Sequence, residues 1–184
     1  MTVREDKFIV GLTGRKQSGK STCAKALRMA YGFQEISFAT PLKTTLDSLF
    51  GWVPEWESQE WKETINSHSM SMTPRELAQT FGTEWGRGMV HDDIWVELAR
   101  RSITNSKYER IVMTDVRFDN EAKMVRDRGG KVIHISVLHE DLKIDAHASE
   151  AGVDHPLIDY YVEAPRGRID ALGALVVDYV RRML

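Results

Sequence analysis

The spacing of hydrophobic positions changes several times along the chain, and each change marks an element. Phe8-Ile-Val-Gly-Leu12 is a continuous apolar run closed by Thr13-Gly14, which predicts a short buried strand. From Ser21 the spacing becomes helical, with Cys23, Ala24, Leu27 and Ala30 on one side and Gly32 as the stop. Glu35-Ile-Ser-Phe-Ala39 predicts a second strand, and Pro41 to Phe50 a helix. Residues 51–72 have no clear period and read as irregular, with Trp52, Trp56 and Trp61 set among glutamates. Thr73-Pro-Arg-Glu76 places a threonine cap, a proline at the first helical position and a glutamate at the third, so a helix starts there. Asp92 or Asp93 opens another helix running to about Ser102. Arg110 to Asp115 is apolar enough for a strand, Asp119 caps a helix ending at Gly129-Gly130, and Lys131 to Ser136 is a strand. Leu157 to Val162 is a weaker fifth strand, and Ile169 to Met183 a terminal helix. No internal repeat or low-complexity stretch interrupts this order.

Strands alternating with helices predict an α/β fold, a five-stranded parallel sheet with helices on both faces. The polar stretch from about His139 to His155 carries no period, which fits a mobile lid.

Composition narrows the setting. The 184 residues, 42% of them hydrophobic, suit one domain with a full core and a small insertion. The 25 basic and 27 acidic side chains argue against a nucleic-acid coat. A single cysteine excludes an intramolecular disulfide and any multi-cysteine zinc site. Apolar runs such as Leu172 to Val177 fall well short of a membrane span, and the acids among residues 1–7 do not suit a secretory signal. The expected location is the cytoplasm, with no membrane partner. Charge is unevenly placed: residues 1–28 hold seven basic against two acidic side chains, and residues 29–66 hold two against six. A positive N-terminal region in a slightly acidic chain points to a small anionic ligand.

That ligand has an obvious seat. Gly14-Arg-Lys-Gln-Ser-Gly-Lys-Ser21 is a complete G-x-x-x-x-G-K-S phosphate-binding loop, following a predicted strand and opening a predicted helix. Its glycines let successive backbone amides face phosphate oxygens. Lys20 brings a point charge to the β- and γ-phosphates, Ser21 offers a hydroxyl to magnesium, and the helix directs its positive end at the anion. Asp115 ends an apolar strand, at the sheet edge where open α/β folds place their sites, and Arg117 follows two residues later. In company with the loop, a carboxylate there suits the magnesium shell or the acceptor, and the arginine suits the phosphate in transfer; a capped turn and a solvated arginine are the alternative. Arg75 and Gln79 lie four apart and share a helix face, an arginine fork for a phosphate and an amide for a base edge. A plain solvated face accounts for that pair equally well. Of the tryptophans at 52, 56, 61, 85 and 95, one or two could stack a base and the rest pack. His139, His147 and His155 recur every eight residues by coincidence rather than as a metal site, and Cys23 reads as packed.

The order of these motifs resembles the phage-type deoxynucleoside monophosphate kinases, P-loop kinases that move the γ-phosphate of ATP onto a deoxynucleoside monophosphate. The resemblance covers most of the chain. It rests on Gly14–Ser21, Phe38-Ala-Thr-Pro-Leu-Lys43, Arg75-Glu-Leu-Ala-Gln-Thr-Phe-Gly-Thr-Glu84 with Trp95, Thr114-Asp-Val-Arg-Phe-Asp-Asn-Glu121, the Val132–Ile135 strand and His147-Ala-Ser-Glu-Ala-Gly152. It implies a P-loop three-layer sandwich with a core of residues 1–40 and 108–184, an acceptor-binding insertion at about 41–105 and a lid at about 139–156. It implies ATP over Gly14, Lys16, Gln17, Ser18, Gly19, Lys20, Ser21 and Thr22, with magnesium on Ser21 and Asp115. Lys20, Asp115 and Arg117 would then be catalytic. The acceptor would meet Lys43, Arg75, Gln79, Trp85, Arg87, Asp115, Arg117, Glu121 and Glu150, and Ser149 would belong to the lid. The substrates are then small molecules in the cytoplasm, a host cytoplasm if a phage encodes the chain, and a homodimer stays open.

Two departures from the family pattern stand out. Residues 139–156 hold only Lys143 in place of lid arginines, so the clamp falls to Arg117, Arg126 or Arg128. Ala164-Pro-Arg-Gly167 replaces an Asn-Asp-Gly turn, leaving the contacts to the ATP base unassigned. The rival readings are a P-loop kinase for another phosphorylated metabolite, such as dephospho-coenzyme A or phosphomevalonate, and a nucleotide-dependent switch. Against the switch, the chain has no Asn-Lys-x-Asp or Thr-Lys-x-Asp run of the guanine-reading kind.

Overall fold

The computed structural model describes residues 7–51, 55–65, 71–138, 152–165 and 167–184. In chain order its elements are β1 (Phe8–Thr13), α1 (Lys20–Tyr31), β2 (Gln34–Ile36), α2 (Thr40–Phe50), α3 (Gln59–Glu63), α4 (Pro74–Gln79), a π-helical segment (Thr80–Val90), α5 (Ile94–Asn105), β3 (Arg110–Met113), α6 (Asp119–Asp127), β4 (Lys131–Leu138), a 3₁₀ turn (His155–Leu157), β5 (Tyr160–Pro165) and α7 (Ile169–Arg181). The chain divides into two compact units, Met1–Ser37 with Ala99–Leu184, and Phe38–Leu98.

The first unit is a five-stranded sheet in the order β2-β3-β1-β4-β5, parallel at every pairing. Its central strands β1 and β3 are buried on both sides because both faces are covered. On one face, Cys23, Ala24 and Leu27 of α1 and Leu172, Val176 and Val180 of α7 close over Val10, Leu12, Ile133, Ile135 and Val162 in one buried cluster. Burying each such leucine or isoleucine is worth about 2 kcal/mol. Ala122 and Val125 of α6 are buried as well, and α6 packs on β1 and β4. In the register of the central pair, His134 of β4 stands opposite Thr13, so Ile135–Leu138 run on past the end of β1 alongside the loop that follows it.

The second unit is helical. The capping box at Thr73 forms as its sequence predicts: the Thr73 hydroxyl accepts from the Glu76 amide at 3.2 Å, and the Glu76 carboxylate accepts from the Thr73 amide at 2.8 Å. Trp95 is buried and its indole N–H donates to the Gly82 carbonyl at 2.7 Å.

Several local expectations shift. The second strand is shorter than expected, three residues, and Phe38-Ala39 belong to the turn before α2. The fifth strand begins at Tyr160 rather than Leu157, because His155–Leu157 form a 3₁₀ turn. Within 51–72, expected to be irregular, Ser58 accepts from the Trp61 amide at 3.2 Å and caps the five-residue α3. Residues 80–90 take the rare π-helical form, often found at functional sites, for which the sequence carries no signal. Asp119 does not cap α6; it lies inside the first turn, and its carboxylate accepts from the Asp154 amide at 2.9 Å. The region expected to form a lid lies outside the described residues between 139 and 151, and with it His139, Lys143, His147, Ser149 and Glu150; so does Trp52.

Candidate active site

The loop between β1 and α1 departs from ordinary backbone at three points. Gly14 has φ +132°, Gln17 +63° and Gly19 +97°. At Gly14 a Cβ would lie 2.2 Å from the Ile135 carbonyl oxygen, so both the dihedral and the space demand glycine. Left-handed residues alternating with others turn successive amides inward and make an anion-binding concavity. Gly19, as the N-cap of α1, offers no side chain to satisfy the first-turn amides, which an anion would satisfy instead.

The side chains agree with that. Lys20 folds over the loop and donates to the Gly14 carbonyl at 2.7 Å and the Arg15 carbonyl at 2.6 Å. Ser18 is buried, at 3% exposure, and its hydroxyl has no hydrogen-bond partner, a polar atom that a phosphate oxygen would satisfy. Lys16, Gln17, Ser21 and Thr22 are exposed around the loop and the start of α1. Cys23, one turn on, faces the core, and burial pushes its thiol up to about 12, the nearby Lys20 charge pulling weakly the other way. It is packed and unreactive.

Asp115 follows β3. The Ser37 hydroxyl, just past β2, donates to Asp115 Oδ2 at 2.6 Å, and Thr114 donates to the Glu35 carboxylate at 2.8 Å. The Val116 amide donates to the Leu12 carbonyl at 3.2 Å, tying the segment after β3 to β1. Arg117 is exposed, whereas Glu121 is buried and accepts through Oε2 from the amides of Arg117 at 2.7 Å and Phe118 at 3.2 Å. The Ser21 hydroxyl and the Asp115 carboxylate are oxygen donors of the kind magnesium accepts in ones and twos beside phosphates and water. Among the described residues no cluster of three or more His, Cys, Asp or Glu side chains is placed to enclose a metal. Arg126 and Arg128 are engaged elsewhere, Arg126 donating to the Pro156 carbonyl at 2.6 Å and Arg128 to Thr104 at 3.4 Å.

In the second unit, Lys43 sits over the Trp56 ring at 5.3 Å, and the Trp56 indole donates to Asp47 at 2.9 Å. Arg75 and Gln79 both lie on α4. Arg75 donates to the Glu63 carboxylate at 2.5 Å and to Gln59 at 3.0 Å, partners on α3 that spacing along the chain could not reveal. Trp85 is 40% exposed and stacked on Phe81, ring centres 4.5 Å apart and nearly parallel. Arg87 is buried and donates to the Asp92 carbonyl at 2.7 Å.

One contact of Asp115 and one half-buried histidine carry no signal in the sequence. Ser37, inside the strand that the sequence predicts, lies just past β2 and is a partner of Asp115. His134 reads in the sequence as one residue of a strand. Its Nδ1 is buried without a partner, and its ring lies 5.4 Å from that of Tyr161, whose hydroxyl pairs with His155 Nδ1 at 2.6 Å. Burial lowers the pKa of His134, the charges of His155, Lys20 and Arg15 adding to that and Glu163 opposing it.

This fold and loop define the class as a parallel α/β protein with a phosphate-binding loop. A crystal structure from Chloroflexus aurantiacus shares the fold, with a TM-score of 0.52 at 14% identity, over 97% of this chain and 99% of that one. The particular family follows from sequence: the Deoxynucleotide monophosphate kinase profile matches residues 51–172, and the chain belongs to that family. It is similar to a protein of Acanthamoeba polyphaga mimivirus named as a deoxynucleotide monophosphate kinase, 36% identical over 141 residues, 69% of this chain and 72% of that protein. It is also 33% identical over 92 residues to the deoxynucleoside-5'-monophosphate kinase of Escherichia phage T5, covering 47% of this chain and 37% of the phage protein. No helix among the described residues is long and apolar enough to cross a membrane.

Proposed function

We propose that this kinase transfers the γ-phosphoryl group of ATP, with magnesium, to a deoxynucleoside monophosphate. The observation that carries the reading is the loop of residues 14–21, with positive φ at Gly14, Gln17 and Gly19, an unsatisfied buried Ser18 hydroxyl and Lys20 on the Gly14 and Arg15 carbonyls. The names of the mimivirus and T5 relatives support the acceptor class. Magnesium supplies charge neutralisation between the β- and γ-phosphates when it is bound.

The chain's own work is positioning and electrostatics. Lys20 exchanges two neutral carbonyls for phosphate oxygens, which adds the attraction of opposite charges. Lys16, Gln17, Gly19, Ser21 and Thr22 complete the ATP seat, Ser21 and Asp115 being the metal-side oxygens. Arg117 meets the charge that spreads over the transferred group, and lost water competition keeps the phosphoryl from hydrolysis. In the second unit Lys43, Arg75, Gln79, Trp85 and Arg87 recognise the acceptor, Arg75 by its fork and Trp85 by its open ring face. Asp115 and Arg117 are the residues assigned to the transfer point.

A coupled assay of ADP release across all nucleoside monophosphates, deoxyribose and ribose forms side by side, tests this. Turnover is expected with one or more deoxynucleoside monophosphates. Turnover only with dephospho-coenzyme A or phosphomevalonate, or steady ATP hydrolysis without any acceptor, would overturn it.

A further inference from the structure

Among the described residues Glu121 is the one acidic side chain that is buried, at 3% exposure. Burying a carboxylate is costly unless donors surround it. Here Oε2 takes two, the consecutive backbone amides of Arg117 and Phe118, at 2.7 and 3.2 Å. Phe118 occupies the N-cap position of α6 and has no side-chain oxygen, so the helix lacks an ordinary cap. Glu121, at the third helical position, accepts from the N-cap amide as a capping glutamate does, and from the amide one residue further back as well. The negative charge also lies at the positive end of the helix.

The stretch it grips joins β3 to α6. One side is fixed by the Val116 amide on the Leu12 carbonyl at 3.2 Å, beside the strand that leads into the phosphate loop. The other side is fixed by Glu121. Arg117 thus projects an exposed side chain from a backbone held at both neighbours. A guanidinium that must follow charge to within a fraction of an ångström needs such a base.

We infer that Glu121 is a positioning residue that fixes the backbone of Arg117, rather than a group that touches the acceptor. The inference rests on the proposed phosphoryl transfer for its kinetic consequence, and on the two amide bonds alone for its structural one. The test uses the full chain with E121A, E121Q, R117A and R117A/E121A, measuring kcat, both KM values and hydrogen exchange at the Arg117 and Phe118 amides. E121A should lower kcat about 10- to 100-fold, the scale of a misplaced catalytic group, with KM for ATP within about threefold. E121Q, which keeps an acceptor oxygen, should recover most of that loss. R117A/E121A should be no slower than R117A, because the two act as one unit. A rise of about tenfold in acceptor KM in E121Q, or multiplicative losses in the double variant, would overturn the inference in favour of direct contact or an independent role. Should E121A fail to fold, E121Q decides: exchange at the two amides should quicken about threefold or more as a neutral acceptor replaces a charged one, and unchanged exchange overturns the inference. If the wild type turns over no monophosphate, the proposed function fails, while the exchange measurement still decides whether Glu121 holds Arg117.

Discussion

The hydroxyl of Ser37 donates to Oδ2 of Asp115 across 2.6 Å, linking the residues just beyond two neighbouring strand ends. A carboxylate held this way presents a fixed face to whatever it serves. Removing the donor with S37A is expected to reduce kcat about tenfold, the worth of one hydrogen bond to a charged group, with KM for ATP within about threefold. Steady-state kinetics at saturating ATP check this, and unchanged kcat would detach Ser37 from the function of Asp115.

Lys20 donates to the Gly14 and Arg15 carbonyls of the loop. Its substitution by alanine removes transition-state charge without opening the core. Turnover should fall by about two orders of magnitude or more while thermal unfolding shifts little. Near-wild-type turnover in a folded K20A protein contradicts the role given to it.

Gly14 is the most constrained position of the loop. G14A would set a Cβ 2.2 Å from the Ile135 carbonyl oxygen at a φ of +132°. The expected outcome is a loss of about 2 kcal/mol or more of stability and of measurable ATP affinity. Chemical unfolding and calorimetric titration with ATP and magnesium read the two effects separately.

His134 predicts a pH dependence. Its folded-state pKa lies below the ordinary 6.5, burial being the main cause, so the unfolded chain binds the proton more readily. Stability is therefore complete above 6.5, falls as the pH drops through that value, and levels off once the folded-state value is passed. Thermal unfolding from pH 7.5 downward should show the wild type losing more than H134Q. Parallel curves for the two proteins would remove His134 as the cause.

Much of the architecture was legible along the chain. Runs such as Phe8–Leu12 and Lys131–Ser136, bounded by glycines and interleaved with helical spacing at Cys23, Ala24 and Leu27, require a covered parallel sheet, because only that arrangement buries both faces of such strands. The phosphate loop was legible for the same local reason: glycine spacing fixes backbone conformations whatever surrounds them. The capping box at Thr73 and Glu76 formed where it was read.

What the chain could not announce by itself were pairings between residues distant in sequence. Ser37 meets Asp115 only because β2 and β3 lie side by side, 78 positions apart in sequence. Arg75 finds Glu63 and Gln59 only once α3 exists, and Asp119, inside the first turn of α6 rather than at its cap, meets the Asp154 amide only in the folded chain. The turn to π-helix after Gln79 has no periodic signature either. Local propensity and period are properties of neighbours in the chain, whereas a side chain's final partner is settled by which strands and helices come to lie beside it.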